Sequence, residues 1–267
     1  MTLKLLTSAK DYFLELIFPI KCVVCSKETE RARKNKLICT DCLKELTPSL
    51  NFYCPLCEAR SIGGEVCFSC SLVNSQKKIL PGEGSPLRYE IISWGNRLVL
   101  DRLLSPFSYK EAGIQKIIRA FKYHYIKKLQ SPIGKMLEKY LEKITGEIDL
   151  NGSLVVPVPL HKRKFFQRGY NQAQLLAEQI AKYLNVEILN NCLIKTKSTK
   201  DQVDLEKEQR VKNLEGVFKC LNLELIKNRK VLLVDDVYTS GTTMNECAKV
   251  LKEAGAKEVI GLVIARG

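Results

Sequence analysis

Residues 230–251 read KVLLVDDVYTSGTTMNECAKVL: an apolar strand carrying two carboxylates at its carboxyl end, a turn of small residues, then a helical pattern. Thr239, Ser240, Gly241, Thr242 and Thr243 stand where the helix begins. Hydroxyls, backbone N–H groups and the positive end of the helix dipole converge there, which is the chemistry that holds a phosphate. Asp235 and Asp236 are unsuited to the same phosphate; they suit the hydroxyls of an attached ribose, or a magnesium ion beside it. A sugar phosphate satisfies both halves. The competing reading is an ordinary strand–turn–helix whose carboxylates cap the helix, and two adjacent acids followed by T-S-G-T-T argue against it. The chain has no G-x-x-x-x-G-K-[ST] pattern, which excludes a P-loop nucleotide site.

Eight of the eleven cysteines precede residue 71 in four Cys-x-x-Cys pairs: Cys22 with Cys25, Cys39 with Cys42, Cys54 with Cys57, and Cys67 with Cys70. Each pair forms a knuckle that aims two thiolates at one ion, and two knuckles complete a closed tetrahedral site, so two structural zinc ions are expected. A thioredoxin-like redox site needs only one such pair beside a strand, and iron–sulfur spacings differ. Sequential pairing is the simpler arrangement, although a cross-braced one, joining 22/25 with 54/57, uses the same ligands. A closed site leaves no open coordination position, so chemistry at the metal is not expected. The module is then either structural support or a surface for DNA or protein. Cys192, Cys220 and Cys247 are scattered outside it.

Positioning these groups requires a scaffold, and the apolar pattern supplies one. LVVPVPL (154–160), KVLLVDDV (230–237) and EVIGLVIA (258–265) are continuous apolar runs, as strands buried on both faces require. Helical patterns run from Ile114 to Tyr123, Gly134 to Leu141, Asn171 to Tyr183 and Thr243 to Ala254, the last ended by Gly255. Strand and helix in alternation predict an α/β fold, a parallel sheet flanked by helices. At the start, Leu5, Leu6, Ala9, Tyr12, Phe13, Leu16 and Ile17 predict an amphipathic helix over residues 1–20, read as a packing surface because Lys and Arg do not dominate its polar face. Residues 21–75 form the cysteine-rich module. Pro81, Gly82, Gly84 and Pro86 mark a linker over 76–90, and the α/β domain takes 91–267.

The 267 residues are 45% hydrophobic and 27% charged with mean hydropathy −0.10, enough apolar content for a core and enough charge for a wet surface. Disorder and membrane embedding are therefore excluded as readings of the whole. Lys10, Asp11 and Glu15 interrupt the first segment and no cleavage site follows it, so it is not a secretory signal; a reducing cytoplasm is expected. The net charge of +14 favours polyanionic partners such as nucleic acid, phosphorylated metabolites or acidic membrane surface. Residues 1–90 carry only +3 of it, leaving +11 on the α/β part.

The 230–251 segment closely resembles the thirteen-residue signature of type I phosphoribosyltransferases, which bind 5-phosphoribosyl 1-pyrophosphate (PRPP). That resemblance implies that Asp235 and Asp236 contact the ribose hydroxyls and that residues 239–243 cradle the 5′-phosphate. A second stretch, VPVPLHKRKFFQRGYNQAQLLA (156–177), resembles the hallmark of the ComF family, phosphoribosyltransferase-like proteins linked to bacterial competence and DNA uptake. FKY (121–123), FPIKCVVC (18–25) and the segment 195–218 resemble it too, so the likeness covers nearly the whole chain. Within 195–218, Thr199, Gln202, Leu205, Arg210, Asn213, Gly216 and Phe218 match the family pattern, while Lys195 and Lys197 stand where arginine is usual. Charge is kept there and the bidentate fork is lost. Tyr125 occupies a position that is usually glycine.

The family resemblance implies a type I phosphoribosyltransferase-like sheet with a double zinc ribbon at its N-terminal side. Lys162, Arg163 and Arg168, with Lys164, would face pyrophosphate; read as residues alone, a basic loop is also consistent with a solvated surface. Residues 195–215 would be a lid ordering over ligand, or a surface hairpin that does not move. The implied function is PRPP binding with magnesium in DNA uptake and natural transformation, as a transferase or a PRPP hydrolase. The alternative is a non-catalytic scaffold that binds single-stranded DNA or a partner such as a competence helicase or DNA-processing protein. Phe165, Phe166 and Tyr170 are available to stack on a base or to pack. His124 and His161 are lone residues and are not read as ligands.

Overall fold

The structure, a computed structural model of the chain, describes residues 20–29, 37–75, 99–197 and 216–267. The expected N-terminal helix, the linker over 76–90 and the lid positions Thr199, Gln202, Leu205, Arg210 and Asn213 lie outside the described residues. In chain order the elements are α1 (Thr40–Glu45), α2 (Phe68–Ser75), β1 (Arg102–Leu104), β2 (Phe107–Ser108), α3 (Ala112–Tyr123), α4 (Gln130–Ile144), β3 (Leu154–Pro157), α5 (Lys162–Arg168) and α6 (Gln172–Leu184). There follow β4 (Leu193–Lys195), β5 (Phe218–Cys220), α7 (Leu223–Ile226), β6 (Lys230–Val234), β7 (Val237–Tyr238), α8 (Thr242–Glu253), β8 (Glu258–Leu262) and β9 (Ala265–Arg266).

The main sheet is parallel in the order β1-β8-β6-β3, and its side chains alternate between two cores. Val155, Leu232, Val234, Ile260 and Leu262 face Ile117, Phe121, Leu137 and Leu176 of α3, α4 and α6. Leu154, Val156, Val231, Leu233 and Val259 face Met244, Cys247 and Leu251 of α8. This is why the strands read as unbroken apolar runs: both faces are covered, and burial of each such side chain contributes roughly 1.5–3 kcal/mol. After a short break β1, β6 and β8 each resume, as β2, β7 and β9, in a second parallel sheet ordered β2-β9-β7. That small sheet sits at the carboxyl ends of the first, the edge where open α/β sheets bind ligands.

Local chemistry sets the element ends. Asn171 starts α6 by accepting from the Ala173 N–H at 3.1 Å, while its Nδ2 donates to the Val158 carbonyl at 3.0 Å. The basic stretch after β3, expected as a loop, is the helix α5. His161 Nδ1 accepts from the Arg163 N–H at 3.3 Å at its start, and Gly169 at φ 74° closes it by donating to the Phe165 carbonyl at 2.7 Å. Tyr125 has φ 57°, so the left-handed form natural to glycine is kept here by a tyrosine at a cost of roughly 1–2 kcal/mol.

The cysteine module is seated on the α/β part. Cys22, Ile38 and Cys42 belong to the same core as α3, and the Lys116 ammonium donates to the Val24 carbonyl at 2.6 Å. Farther along, Glu65 forms an isolated β-bridge with Arg102 and an ion pair with its guanidinium. The Tyr238 hydroxyl donates to the Pro55 carbonyl at 3.0 Å, and the Arg266 guanidinium lies 3.8 Å from the centre of the Tyr53 ring. Among the described residues no helix is long and apolar enough to cross a membrane.

Candidate functional site

β6 delivers its two acids with little freedom. The Asp235 N–H donates to the Leu262 carbonyl at 3.0 Å, and the Asp236 carbonyl accepts from the Ile264 N–H at 3.0 Å, so both backbones are tied to the neighbouring strand β8 and its continuation. Asp235 Oδ1 accepts from the Asp236 N–H at 2.8 Å. The Asp236 carboxylate, 8% exposed, meets the Lys122 ammonium at 2.8 Å. Burial and the neighbouring Asp236 charge push Asp235 up to about 7, with Lys122 opposing them. Burial alone would lower Lys122, yet Asp236 and Asp235 outweigh it and hold its pKa above the ordinary lysine value. With both acids ionised, the cluster has two negative charges and one positive.

Sequence reasoning gave Lys122 no role beyond its place in FKY. The signal was present: it follows Ile118 by four residues on the face of α3 that buries Ile114, Ile118 and Phe121, and a lysine on such a stripe needs a partner.

Beside the acids a pocket opens, lined by Asp235 and residues 237–244. Gly241 begins α8 at φ 72°, and the side-chain oxygens of Ser240 and Thr242 lie 3.0 Å apart across the turn. No side chain caps α8, so its first-turn N–H groups face the turn. The structure thus gathers Asp235, Thr239, Ser240, Gly241, Thr242 and Thr243 around one space, with Asp236 turned toward Lys122. The basic residues leave the adjacent strand at the same edge: the Val158 N–H donates to the Val234 carbonyl at 2.9 Å, and α5 follows. Lys162 and Arg163 are exposed. Arg168 donates to Gln172 Oε1 at 3.1 Å and lies 5.6 Å from the centre of the Tyr123 ring. Tyr170 packs in the core, its hydroxyl donating to the Phe121 carbonyl at 2.6 Å, whereas Phe165 and Phe166 are 43% and 83% exposed.

The eight cysteines form two groups, Cys22, Cys25, Cys39 and Cys42, and Cys54, Cys57, Cys67 and Cys70, with all sulfurs of a group within 4.8 Å of one another. The pairing is therefore sequential, not cross-braced. Zinc–sulfur bonds of about 2.3 Å place the corners of a tetrahedron about 3.8 Å apart. Cys25 and Cys39 Sγ are 3.8 Å apart, and Cys57 and Cys67 Sγ are 3.6 Å apart. Burial pushes the Cys22 thiol up, but the Cys25, Cys39 and Val24 N–H groups outweigh it and bring it down to about 7. Burial and the neighbouring thiols hold Cys42 well above the ordinary thiol range. Four packed sulfurs become thiolates together only around a cation, and this donor set is that of structural zinc.

Comparison with known proteins agrees with this geometry. The phosphoribosyl transferase domain family matches residues 171–267, and the double zinc ribbon domain family matches residues 13–71. Competence protein F of Haemophilus influenzae is 29% identical over 227 residues, covering 83% of this chain and 93% of its own length. Competence protein ComFC of Bacillus subtilis is 26% identical over 248 residues, covering 90% of this chain and 91% of its own. Among solved structures, a glutamine phosphoribosylpyrophosphate amidotransferase of B. subtilis matches at 20% identity and a TM-score of 0.33, over 50% of this chain and only 25% of that one. The parallel sheet, the acid–turn–helix at its carboxyl edge and the paired Cys₄ centres define a type I phosphoribosyltransferase-like protein with a double zinc ribbon. Within that class, the chain is similar over most of its length to the competence proteins of the ComF family, and the two matched domains support that assignment.

Proposed function

We propose that this protein binds PRPP together with magnesium and acts in the cytoplasm in DNA uptake. The observation that carries the reading is the carboxyl edge of β6, where Asp235 and Asp236 adjoin a hydroxyl-rich turn capped only by Gly241. Residues 239–243 hold the 5′-phosphate with backbone N–H groups and hydroxyls, and the acids hold the ribose hydroxyls. Lys162, Arg163 and Arg168 attract the pyrophosphate from the adjacent strand end. Magnesium, when bound with PRPP, offsets the pyrophosphate charge and is drawn by the negative excess at Asp235, Asp236 and Lys122. The relatives named as competence proteins support the role in DNA uptake. Titrating PRPP by calorimetry into the zinc-loaded chain, with and without magnesium and with ribose 5-phosphate as comparison, tests the reading. Magnesium-dependent binding of PRPP, tighter than that of ribose 5-phosphate, is the expected result; no heat from a folded sample removes it.

The exposed rings favour a second reading. Tyr123 and Tyr125 are 49% and 50% exposed, and with Phe165, Phe166 and the basic residues of α5 they form the mixture of rings and cations that binds single-stranded DNA. Tyr123→Ala is expected to weaken oligonucleotide binding by about 1–3 kcal/mol in a fluorescence anisotropy titration; unchanged affinity leaves the rings as surface packing.

A further inference from the structure

Tyr238 ends β7 immediately before the phosphate turn, and its side chain spans two parts of the molecule. The hydroxyl end of the ring lies against Gly241: a Cβ there would collide with it, so only a glycine admits the tyrosine at the turn. The same hydroxyl donates to the carbonyl of Pro55, which lies between Cys54 and Cys57 in a knuckle of the second cysteine group. Tyr238 is 8% exposed, so this bond is shielded from water. The neighbouring strand makes a parallel contact. Arg266, in register with Tyr238 across the β7–β9 pair, covers the Tyr53 ring, and the Gly267 N–H donates to the Tyr238 carbonyl at 2.8 Å. The first cysteine group is placed differently, with Cys22 and Cys42 in the core that includes α3.

We infer that the second cysteine group, with its zinc, is a structural support of the sugar-phosphate site, with Tyr238 as the positioning residue that transmits its shape to the turn at 239–243. The inference rests on the sugar-phosphate reading for its functional meaning. Its structural content is independent: the Pro55 carbonyl and the Gly241 backbone both meet the hydroxyl end of one side chain. Metal bound by Cys54, Cys57, Cys67 and Cys70 sets where Pro55 lies, Pro55 sets the Tyr238 hydroxyl, and Tyr238 sets the curvature of the turn.

The test uses the full zinc-loaded chain with Tyr238→Phe, which keeps the ring and deletes the donor, and Cys57→Ser, which removes an exposed ligand of the second group. Amide hydrogen exchange and calorimetry with ribose 5-phosphate and, separately, inorganic pyrophosphate are the readouts. Tyr238→Phe is expected to keep both zinc ions, to speed exchange of the 239–243 amides about 3- to 10-fold and to weaken ribose 5-phosphate by a similar factor. Pyrophosphate affinity and the exchange of β3 should not change. Cys57→Ser should lose one zinc and speed exchange in the same turn. Wild-type exchange at 239–243 in both variants overturns the inference. Faster exchange in a protein that binds no ribose 5-phosphate retains the coupling and removes the sugar-phosphate reading alone.

Discussion

Replacing Asp235 and Asp236 together by asparagine is expected to weaken magnesium-dependent PRPP binding at least about 100-fold, because each carboxylate accepts charge-assisted hydrogen bonds that a neutral amide makes far less well. Fold and zinc content should survive, since both backbones are held by β8 and its continuation and the cysteine groups lie elsewhere. The single variants separate binding from stability. Asp235 has its pKa raised to about 7 by burial and by Asp236, so its ionised form opposes folding. The stability associated with its neutral form is complete below the unfolded carboxylate value of 3.8 and is lost as the pH rises to about 7. At pH 8, Asp235→Asn is therefore expected to raise the melting midpoint by several degrees, and the gain should vanish near pH 3.8. Asp236→Asn should lower the midpoint, because it removes the carboxylate that Lys122 meets at 2.8 Å. Calorimetry and melting curves from pH 4 to 8 check this; equal shifts of one sign for both variants would refute the charge arrangement.

The second large effect concerns the first cysteine group. Cys42 is 5% exposed and shares a core with α3 and α4, so the metal it holds organises a wall of the α/β part. Cys42→Ser is expected to reduce zinc from two ions to one and to destabilise the whole chain by about 3–5 kcal/mol, the scale for losing a buried structural element. Cys57→Ser should also lose one zinc while the melting midpoint of the α/β part changes little, because the cysteines of the second group lie outside the α/β core that takes in Cys22 and Cys42. Zinc release measured with a chromogenic chelator, paired with melting curves, distinguishes the two. Two zinc ions retained in Cys42→Ser would overturn the predicted loss of its metal, and identical melting of both variants would show the groups to be equivalent.

The parts of the site legible in sequence were those written in consecutive residues. Val231 to Val234 show a strand covered on both faces, and the acids, the hydroxyls and Gly241 follow without interruption. The Cys₄ ligands were legible because each knuckle is local, although only the folded chain separates sequential from cross-braced pairing. What escaped depends on distant partners. Lys122 and Asp236 are 114 positions apart, and Pro55 and Tyr238 are 183 apart. Tyr170 lies beside the basic helix in sequence, yet its hydroxyl is used by the Phe121 carbonyl and its ring fills the core. Cys192 and Cys220, scattered in the chain, meet at 3.5 Å between Sγ atoms where β4 pairs with β5. The helix α5 was hidden by its charge, since a run of lysine and arginine reads as loop until His161 and Gly169 are seen to cap it.

The seating of the ribbons also imposes an order on biosynthesis. All eight zinc ligands are translated by residue 70, so the nascent chain can load its metal early. The first cysteine group can seat on α3 soon afterwards, but the surfaces that receive the second are completed much later, since Pro55 waits for Tyr238 and Tyr53 waits for Arg266. During that interval the metal-bearing segment leaves the ribosome with its docking face uncovered, a state in which a chaperone or a premature contact has access to it. Closure of the final interface is then coupled to synthesis of the phosphate turn itself, so a chain stalled before β7 lacks both the Tyr238 and Arg266 seats of the second cysteine group and the anion pocket.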